Sequence, residues 1–148
     1  MKRKQTFRVK VRVYEARALQ LAKDPSQTQM ANPYLIIETL GYKKQTKVHD
    51  KKLNLTFDEV KVFPPVALSY DEYNRVDIIF TMMHSNGMIR TPMVIGKCNV
   101  DLSAVHGRNT HEVRGRYLLL NRFFPLCRDL EPGAIYGYLK LDILVFQV

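Results

Sequence analysis

The stretch from Ala31 to Glu59, ANPYLIIETLGYKKQTKVHDKKLNLTFDE, predicts three β-strands joined by two tight turns. Its runs PYLIIETL, YKKQTKVH and LTFDE contain many of the β-branched and aromatic residues that favour strands. Gly41 leaves so little chain between the first two runs that they must form a hairpin. The segment DKKLN, residues 50–54, has the composition of a second short turn. Strands joined this closely pair antiparallel, so the stretch indicates an antiparallel sheet.

The same pattern recurs on both sides of this stretch. Between Phe7 and Tyr14, apolar residues alternate with basic residues and tyrosine, which is the period of a strand buried on one face. Further strand-like runs begin at Val76, Met93, Gly115 and Tyr136. Eight short runs of this kind are typical of a sandwich or a barrel. We therefore predict one antiparallel all-β domain from Phe7 to Val148.

Two connections between these runs are predicted to be long and irregular. The first, PPVALSYDEYNR at residues 64–75, opens with two prolines that cannot donate a hydrogen bond to a strand ladder. The second, HGRNTHEVR at residues 106–114, contains glycine and asparagine, which suit an irregular crossing.

A third connection, NRFFPLCRDLEPGA, starts at Asn121 and carries Phe123, Phe124 and Leu126. Three large apolar side chains would not be left in water together. We therefore expect this segment to form a loop that folds back and caps the core.

The composition bounds the classes of protein that the chain can belong to. It has 148 residues with 23 Lys+Arg against 14 Asp+Glu, a net charge of +9, which is one domain's length with a basic surface. No apolar run reaches the length of about 18 residues that a spanning helix needs, and no apolar segment follows the basic N-terminus as in a signal peptide. We therefore expect a soluble, intracellular protein. Cys98 and Cys127 stand apart, so we expect reduced structural thiols, with no disulfide framework, zinc site or cofactor.

Several short sequence motifs resemble a known family. In the stretch quoted first, a Pro-Tyr pair opens a strand, a Lys-rich hairpin follows, and Leu53, Asn54 and Phe57 fill a Leu-Asn-x-x-Phe pattern, which resembles the second to fourth strands of many C2 domains. Other motifs resemble the ferlin family, and its second C2 domain best. These are EARAL from Glu15, VDIIFTMMHSN from Val76, VIGKCNVDLSAVH from Val94, YLLL from Tyr117 and GYLKLDILV from Gly137.

This resemblance implies a fold and a setting. The fold would be an eight-stranded antiparallel β-sandwich of C2 type with type II topology. Residues 1–148 would form a single C2 domain, one module of a longer multi-C2 protein of membrane trafficking, vesicle fusion and exocytosis.

The resemblance also locates the loops where many C2 domains bind calcium. The corresponding positions here are Asp24, Asn32, Met82, His84 and Met93. Calcium takes about 6 to 8 oxygen ligands, and the one carboxylate and one amide at these positions cannot supply them. The two methionines cannot help, because thioether sulfur is too soft a donor for calcium. We therefore predict that these positions are degenerate, with no metal bound and no dependence on calcium.

Basic residues predict an acidic partner. The resemblance implies that the Lys-rich hairpin binds acidic phospholipid headgroups, phosphatidylserine or phosphoinositides, through Lys43, Lys44, Lys47, Lys51 and Lys52. Each lysine near an anionic leaflet contributes about 1 kcal/mol, so five provide weak attachment. The alternative is that these lysines only solvate outward strand positions and protect sheet edges from aggregation.

A loop tip is a second candidate for membrane contact. Met88 and Ile89 follow the turn dipeptide Asn86-Gly87, which indicates an exposed position. Apolar residues at the tips of C2 loops can insert into a bilayer. We expect a protein peripheral to, or tethered at, the cytoplasmic face of membranes, in contact with neighbouring domains of its own chain.

Other functional classes find less support in the sequence. The four histidines are scattered and no catalytic motif accompanies them, so we predict that the chain is not an enzyme. A basic surface would suit nucleic acid, but most phenylalanines fall on the inward phase of their strands and cannot stack on bases, so we expect no nucleic-acid partner. The stronger rival is a protein-docking or interdomain packing module, which uncovered Phe123 and Phe124 would favour.

Overall fold

The computed structural model describes residues 3–22, 29–88, 90–106, 111–113 and 116–148. In this part of the chain, ten strands and two single-turn helices follow one another. They are β1 (Lys4–Arg17), β2 (Pro33–Thr39), β3 (Tyr42–Gln45), β4 (Leu55–Val62), β5 (Val66–Ser69), α1 (Tyr70–Tyr73), β6 (Asp77–His84), β7 (Met93–Asp101), α2 (Leu102–His106), β8 (His111–Val113), β9 (Arg116–Pro125) and β10 (Tyr138–Gln147).

The strands form two antiparallel sheets that pack face to face. One sheet has the order β4-β1-β10-β9-β8, with β5 also paired to β1, and the other has the order β3-β2-β6-β7. The alternation in β1 places Val9, Val11 and Val13 in the core at 0% exposure. The prediction of an all-β antiparallel sandwich is confirmed. The first strand lies between the fourth and the last, which is the type II order that we expected.

The eight predicted runs correspond to β1, β2, β3, β4, β6, β7, β9 and β10, and the first hairpin has the predicted turn. Leu40 (φ 54°) and Gly41 (φ 80°) both have positive φ, and Thr39 lies opposite Tyr42, as in a two-residue type I′ turn. Two further strands were missed. Within the connections predicted to be irregular, β5 pairs with the start of β1, and β8 pairs with β9. The two prolines do not prevent β5, because pairing begins only after them.

The prediction for residues 121–134 was partly wrong. Instead of starting a loop, residues 121–125 continue β9 beside β10, past a register shift at which Asn121 has φ 54°. Leu126 caps the core as expected, at 0% exposure. Phe124 is partly buried and packs against the core. Phe123 is 47% exposed and lies opposite Lys140, whose Nζ is 5.4 Å from the centre of the Phe123 ring.

One end of the sandwich, which we call the loop end, gathers four connections. They are β1–β2 (described at residues 18–22 and 29–32), β3–β4 (46–54), β6–β7 (described at 85–88 and 90–92) and β9–β10 (126–137). The chain termini leave at the opposite end, since Phe7 lies opposite Gln147 in the β1–β10 ladder. Neither helix in the described residues is long or apolar enough to cross a membrane.

Candidate functional site

Asn32, in the β1–β2 connection, forms hydrogen bonds with the β3–β4 connection, the end of β6 and the β6–β7 connection. Its main-chain N–H donates to His84 Nδ1 (2.9 Å), and its carbonyl accepts from the Ser85 N–H (2.9 Å). Its side-chain oxygen accepts from the Lys51 N–H (2.9 Å), while its amide nitrogen donates to the Ser85 carbonyl (3.3 Å). All of the polar groups of Asn32 are therefore used within the protein.

The predicted degenerate calcium positions lie close together only in part. Pro33, which follows Asn32, lies opposite His84, and His84 lies opposite Met93 in the next strand. His84 is buried at 7% exposure, and Met82 is in the core at 0%. Asp24 lies outside the described residues. Over the ranges given above, no group of three or more His, Cys, Asp or Glu side chains could hold a metal ion.

The five predicted lipid-binding lysines follow a line and do not form one cluster. Residues 42–52 run beside β2, with Lys43 opposite Glu38 and the Lys52 N–H donating to the Ala31 carbonyl (2.7 Å). Lys43 and Lys44 therefore lie near the hairpin, far from the loop end. Of the five, only Lys51 and Lys52 lie beside Ala31 and Asn32, while Lys47 lies farther back along β2.

The surroundings of the lysines differ along this line. Lys44 lies opposite buried Ile37, with its Nζ 5.9 Å from the ring centre of Phe63, so it is half-buried between the sheets. The other four are exposed. None of the five ammonium groups forms an ion pair with a carboxylate in the described part of the chain. They are free to meet an anion from outside.

His49 lies close to two of these lysines, Lys47 and Lys52. Burial, and then the charge of Lys47, lower the pKa of His49 from its ordinary value, with Lys52 adding to the effect and Glu59 opposing it. Its ring stands edge-on to Phe57, with ring centres 5.0 Å apart. Lys47 and Lys52 are thus close enough to His49 for their positive charges to lower its pKa.

Exposed apolar side chains occupy the tips of the loop end. Met88, in the β6–β7 loop, is fully exposed, Met30 is 50% exposed and Met93 is 37% exposed. Ile89, predicted with Met88, lies outside the described residues. Leu130, in the β9–β10 connection, is 94% exposed and was not predicted from the sequence. The turn dipeptide Pro132-Gly133 lies nearby, but the sequence does not show which strand that turn lies against.

The two cysteines are free thiols. Burial, and then proximity to Cys127, raise the pKa of Cys98 to about 12. A thiol with this pKa is protonated at neutral pH and is a poor nucleophile.

Comparison with known proteins identifies the class. Residues 7–118 match the C2 domain family, so the chain belongs to that family. C2 domains commonly bind membrane phospholipids and are non-catalytic modules.

Solved structures show the same fold. A single C2 domain of a plant extended synaptotagmin 1 has a TM-score of 0.67 at 20% identity, covering 99% of this chain and 98% of that one. Human GIVD cytosolic phospholipase A2 has a TM-score of 0.69 at 18% identity, covering 100% of this chain but only 18% of that enzyme. A structure of extended synaptotagmin 2 that contains its SMP domain and two C2 domains gives 0.67 at 19% identity, covering 97% of this chain and 28% of that one. No curated protein matches the chain.

Proposed function

We propose that this C2 domain binds acidic phospholipid membranes without calcium, with its loop end facing the bilayer. The observation that carries the proposal is the fully exposed Met88 at the tip of the β6–β7 loop, at the same end as the unpaired Lys51 and Lys52. A flexible apolar side chain favours the acyl region, while lysines favour the anionic headgroups just outside it. Together they define one membrane-facing surface.

The lysines proposed to contact lipid lie along one sheet edge and not in a compact basic hairpin. In this orientation Lys51 and Lys52 would lie at the headgroup level, followed along the sheet edge by Lys47 and then by Lys43 and Lys44. At about 1 kcal/mol for each lysine near the surface, all five would give about 5 kcal/mol, close to millimolar affinity. The two at the loop end alone would give less. A single domain of this kind would bind weakly.

Weak binding would become useful through repetition. The ferlin-like sequence motifs support a place in a longer multi-C2 protein at the cytoplasmic face of membranes, acting in trafficking, vesicle fusion or exocytosis. Several domains on one chain raise the effective concentration of each at the membrane, so that millimolar contacts add up to stable attachment.

Calcium independence is supported by the hydrogen bonds of Asn32. Its amide oxygen already accepts from the Lys51 N–H, and the neighbouring His84 accepts from the Asn32 N–H. A calcium ion would need several free oxygens at this place.

Co-sedimentation with liposomes tests the proposal. We expect binding to vesicles containing phosphatidylserine or phosphoinositides, little binding to phosphatidylcholine, a loss at high salt, and the same result with calcium or with chelator. Lys51→Glu should weaken binding more than Lys43→Glu, a matched charge change at an exposed lysine at the far end of the line. Calcium-dependent binding, or no binding to any vesicle, would contradict the proposal.

A second candidate function is protein docking or interdomain packing without lipid contact. It is favoured by Phe123, whose ring is 47% exposed on the outer face of β9. Phe123→Ser should leave vesicle binding unchanged if the lipid proposal is correct. Absence of vesicle binding together with loss of a partner contact in Phe123→Ser would favour docking.

A further inference from the structure

Leu130 is held in water on a short turn. The residues Arg128 and Glu131 pair with each other across this turn, with the Glu131 N–H donating to the Arg128 carbonyl (3.1 Å). Leu130 stands at the tip with 94% of its surface exposed, more than any other large apolar side chain in the described residues except Met88. A leucine in this position has a hydrophobic cost in water, since the described part of the chain leaves it almost wholly uncovered.

The turn is fixed to the body of the domain. Arg128 donates from Nε to the Ile95 carbonyl (2.9 Å) and from a terminal nitrogen to the Leu21 carbonyl (2.8 Å), and its guanidinium lies 3.7 Å from the ring centre of Tyr136. The segment approaches β7 closely because Gly96 has no side chain. A Cβ added there would lie 2.8 Å from the Cβ of Leu126.

Leu130 lies beside the start of β7, next to the β6–β7 loop. Cys127 pairs antiparallel with Lys97 through hydrogen bonds of 2.7 and 2.9 Å. This bridge holds the start of the Arg128–Glu131 turn against β7, where the Arg128 side chain also bonds the Ile95 carbonyl. Leu130 and Asp129 line one shallow cleft of about 440 Å³ together with Val94 and Lys97, which places Leu130 near Val94, the neighbour of Met93.

We propose that the turn carrying Leu130 is a second membrane-inserting element, which enters the bilayer beside Met88. This inference rests on the proposed function and adds a contact from the β9–β10 connection. Met88 in the β6–β7 loop, Met93 and Val94 at the start of β7, and Leu130 in the β9–β10 turn are each at least 36% exposed, and we call these four side chains the apolar row.

The charge around the row favours a lipid surface as its occupant. Arg90 and Lys97 are exposed beside it, and neither forms an ion pair in the described part of the chain. Of the two acids in this turn, Glu131 is engaged by Arg128 (3.7 Å) and by the Tyr136 hydroxyl, while Asp129 is exposed beside Leu130. The three cations Arg90, Lys97 and Arg128 still outnumber these two carboxylates. Because the turn is fixed before binding, insertion of Leu130 orders little additional chain.

The chain contains no tryptophan, so a single introduced tryptophan reports its own surroundings. The probe is vesicles of phosphatidylcholine and phosphatidylserine whose acyl chains are brominated, which quench tryptophan only at acyl depth. Leu130→Trp should show a blue-shifted emission and strong quenching, as should Met88→Trp. Tyr70→Trp is the control, because Tyr70 is 72% exposed on α1, beside the pairing of Ser69 with Lys4 at the opposite end. It should show neither effect.

Affinity gives a second readout. Leu130→Ser should weaken vesicle binding about tenfold, and Leu130→Met should retain most of it, because the apolar surface that inserts is nearly restored. Quenching of Met88→Trp without quenching of Leu130→Trp would overturn this inference and leave the proposed function intact. If the unmodified chain binds no vesicle, the proposed function fails. Equal quenching of Tyr70→Trp would contradict the orientation itself.

Discussion

At the scale of single residues, His49 links stability to pH. Its pKa in the folded chain lies below the ordinary value of 6.5, chiefly because of burial and the nearby Lys47. The unfolded chain therefore takes up this proton more readily, so His49 costs no stability above about pH 6.5 and an increasing amount as the pH falls below it. We expect the free energy of unfolding of the unmodified chain to fall more steeply than that of His49→Gln between pH 7 and pH 5.

Denaturant unfolding at several pH values measures this difference, and parallel curves for the two proteins would contradict it.

The same histidine can report lipid contact. An anionic headgroup beside Lys47 and Lys52 would offset their positive charge and raise the pKa of His49. A titration by NMR with a soluble headgroup analogue would show whether that part of the lysine line is occupied.

At the scale of elements, the single-turn helix α1 depends on its first residues. The Ser69 hydroxyl accepts from the Glu72 N–H (3.2 Å), while the Glu72 carboxylate accepts from the Ser69 N–H (2.9 Å), which together form a capping box. Ser69→Ala should lower the free energy of unfolding by about 1 kcal/mol in urea titrations. Ser69→Thr keeps an acceptor and should lose less, whereas equal losses in both variants would show that packing of the buried Ser69 dominates.

Elements were predictable where the local sequence determines them. The alternation in β1 and the position of Gly41 depend only on neighbouring residues, so the first strand and the first hairpin could be read directly. The strands β5 and β8 were missed because each is short and exists only through its pairing with β1 or β9. The extension of β9 past Asn121 also depends on its partner strand, β10, which lies later in the sequence.

The candidate site was likewise predictable only where neighbouring residues determine it. Met88 could be predicted as exposed from the turn dipeptide before it. The spread of the lysines could not, because it depends on how residues 42–52 pair along β2. The position of Leu130 depends on a bridge between Cys127 and Lys97, which lie thirty residues apart in sequence and carry no motif that marks their contact.

At the scale of the whole molecule, the strand order separates the two chain termini from the proposed membrane face. Because β1 and β10 run antiparallel with Phe7 opposite Gln147, the chain enters and leaves the sandwich at the end opposite the loop end. Neighbouring domains attached there would not block the bilayer.

A folded fluorescent protein fused to either terminus should therefore leave vesicle affinity within about twofold, a change of less than about 0.5 kcal/mol. The same protein inserted after Gly87, in the β6–β7 loop, should abolish binding while the thermal unfolding transition of the domain persists. Co-sedimentation of the three fusions decides the orientation, since a loss caused by a terminal fusion would place the membrane contact at the opposite end of the sandwich.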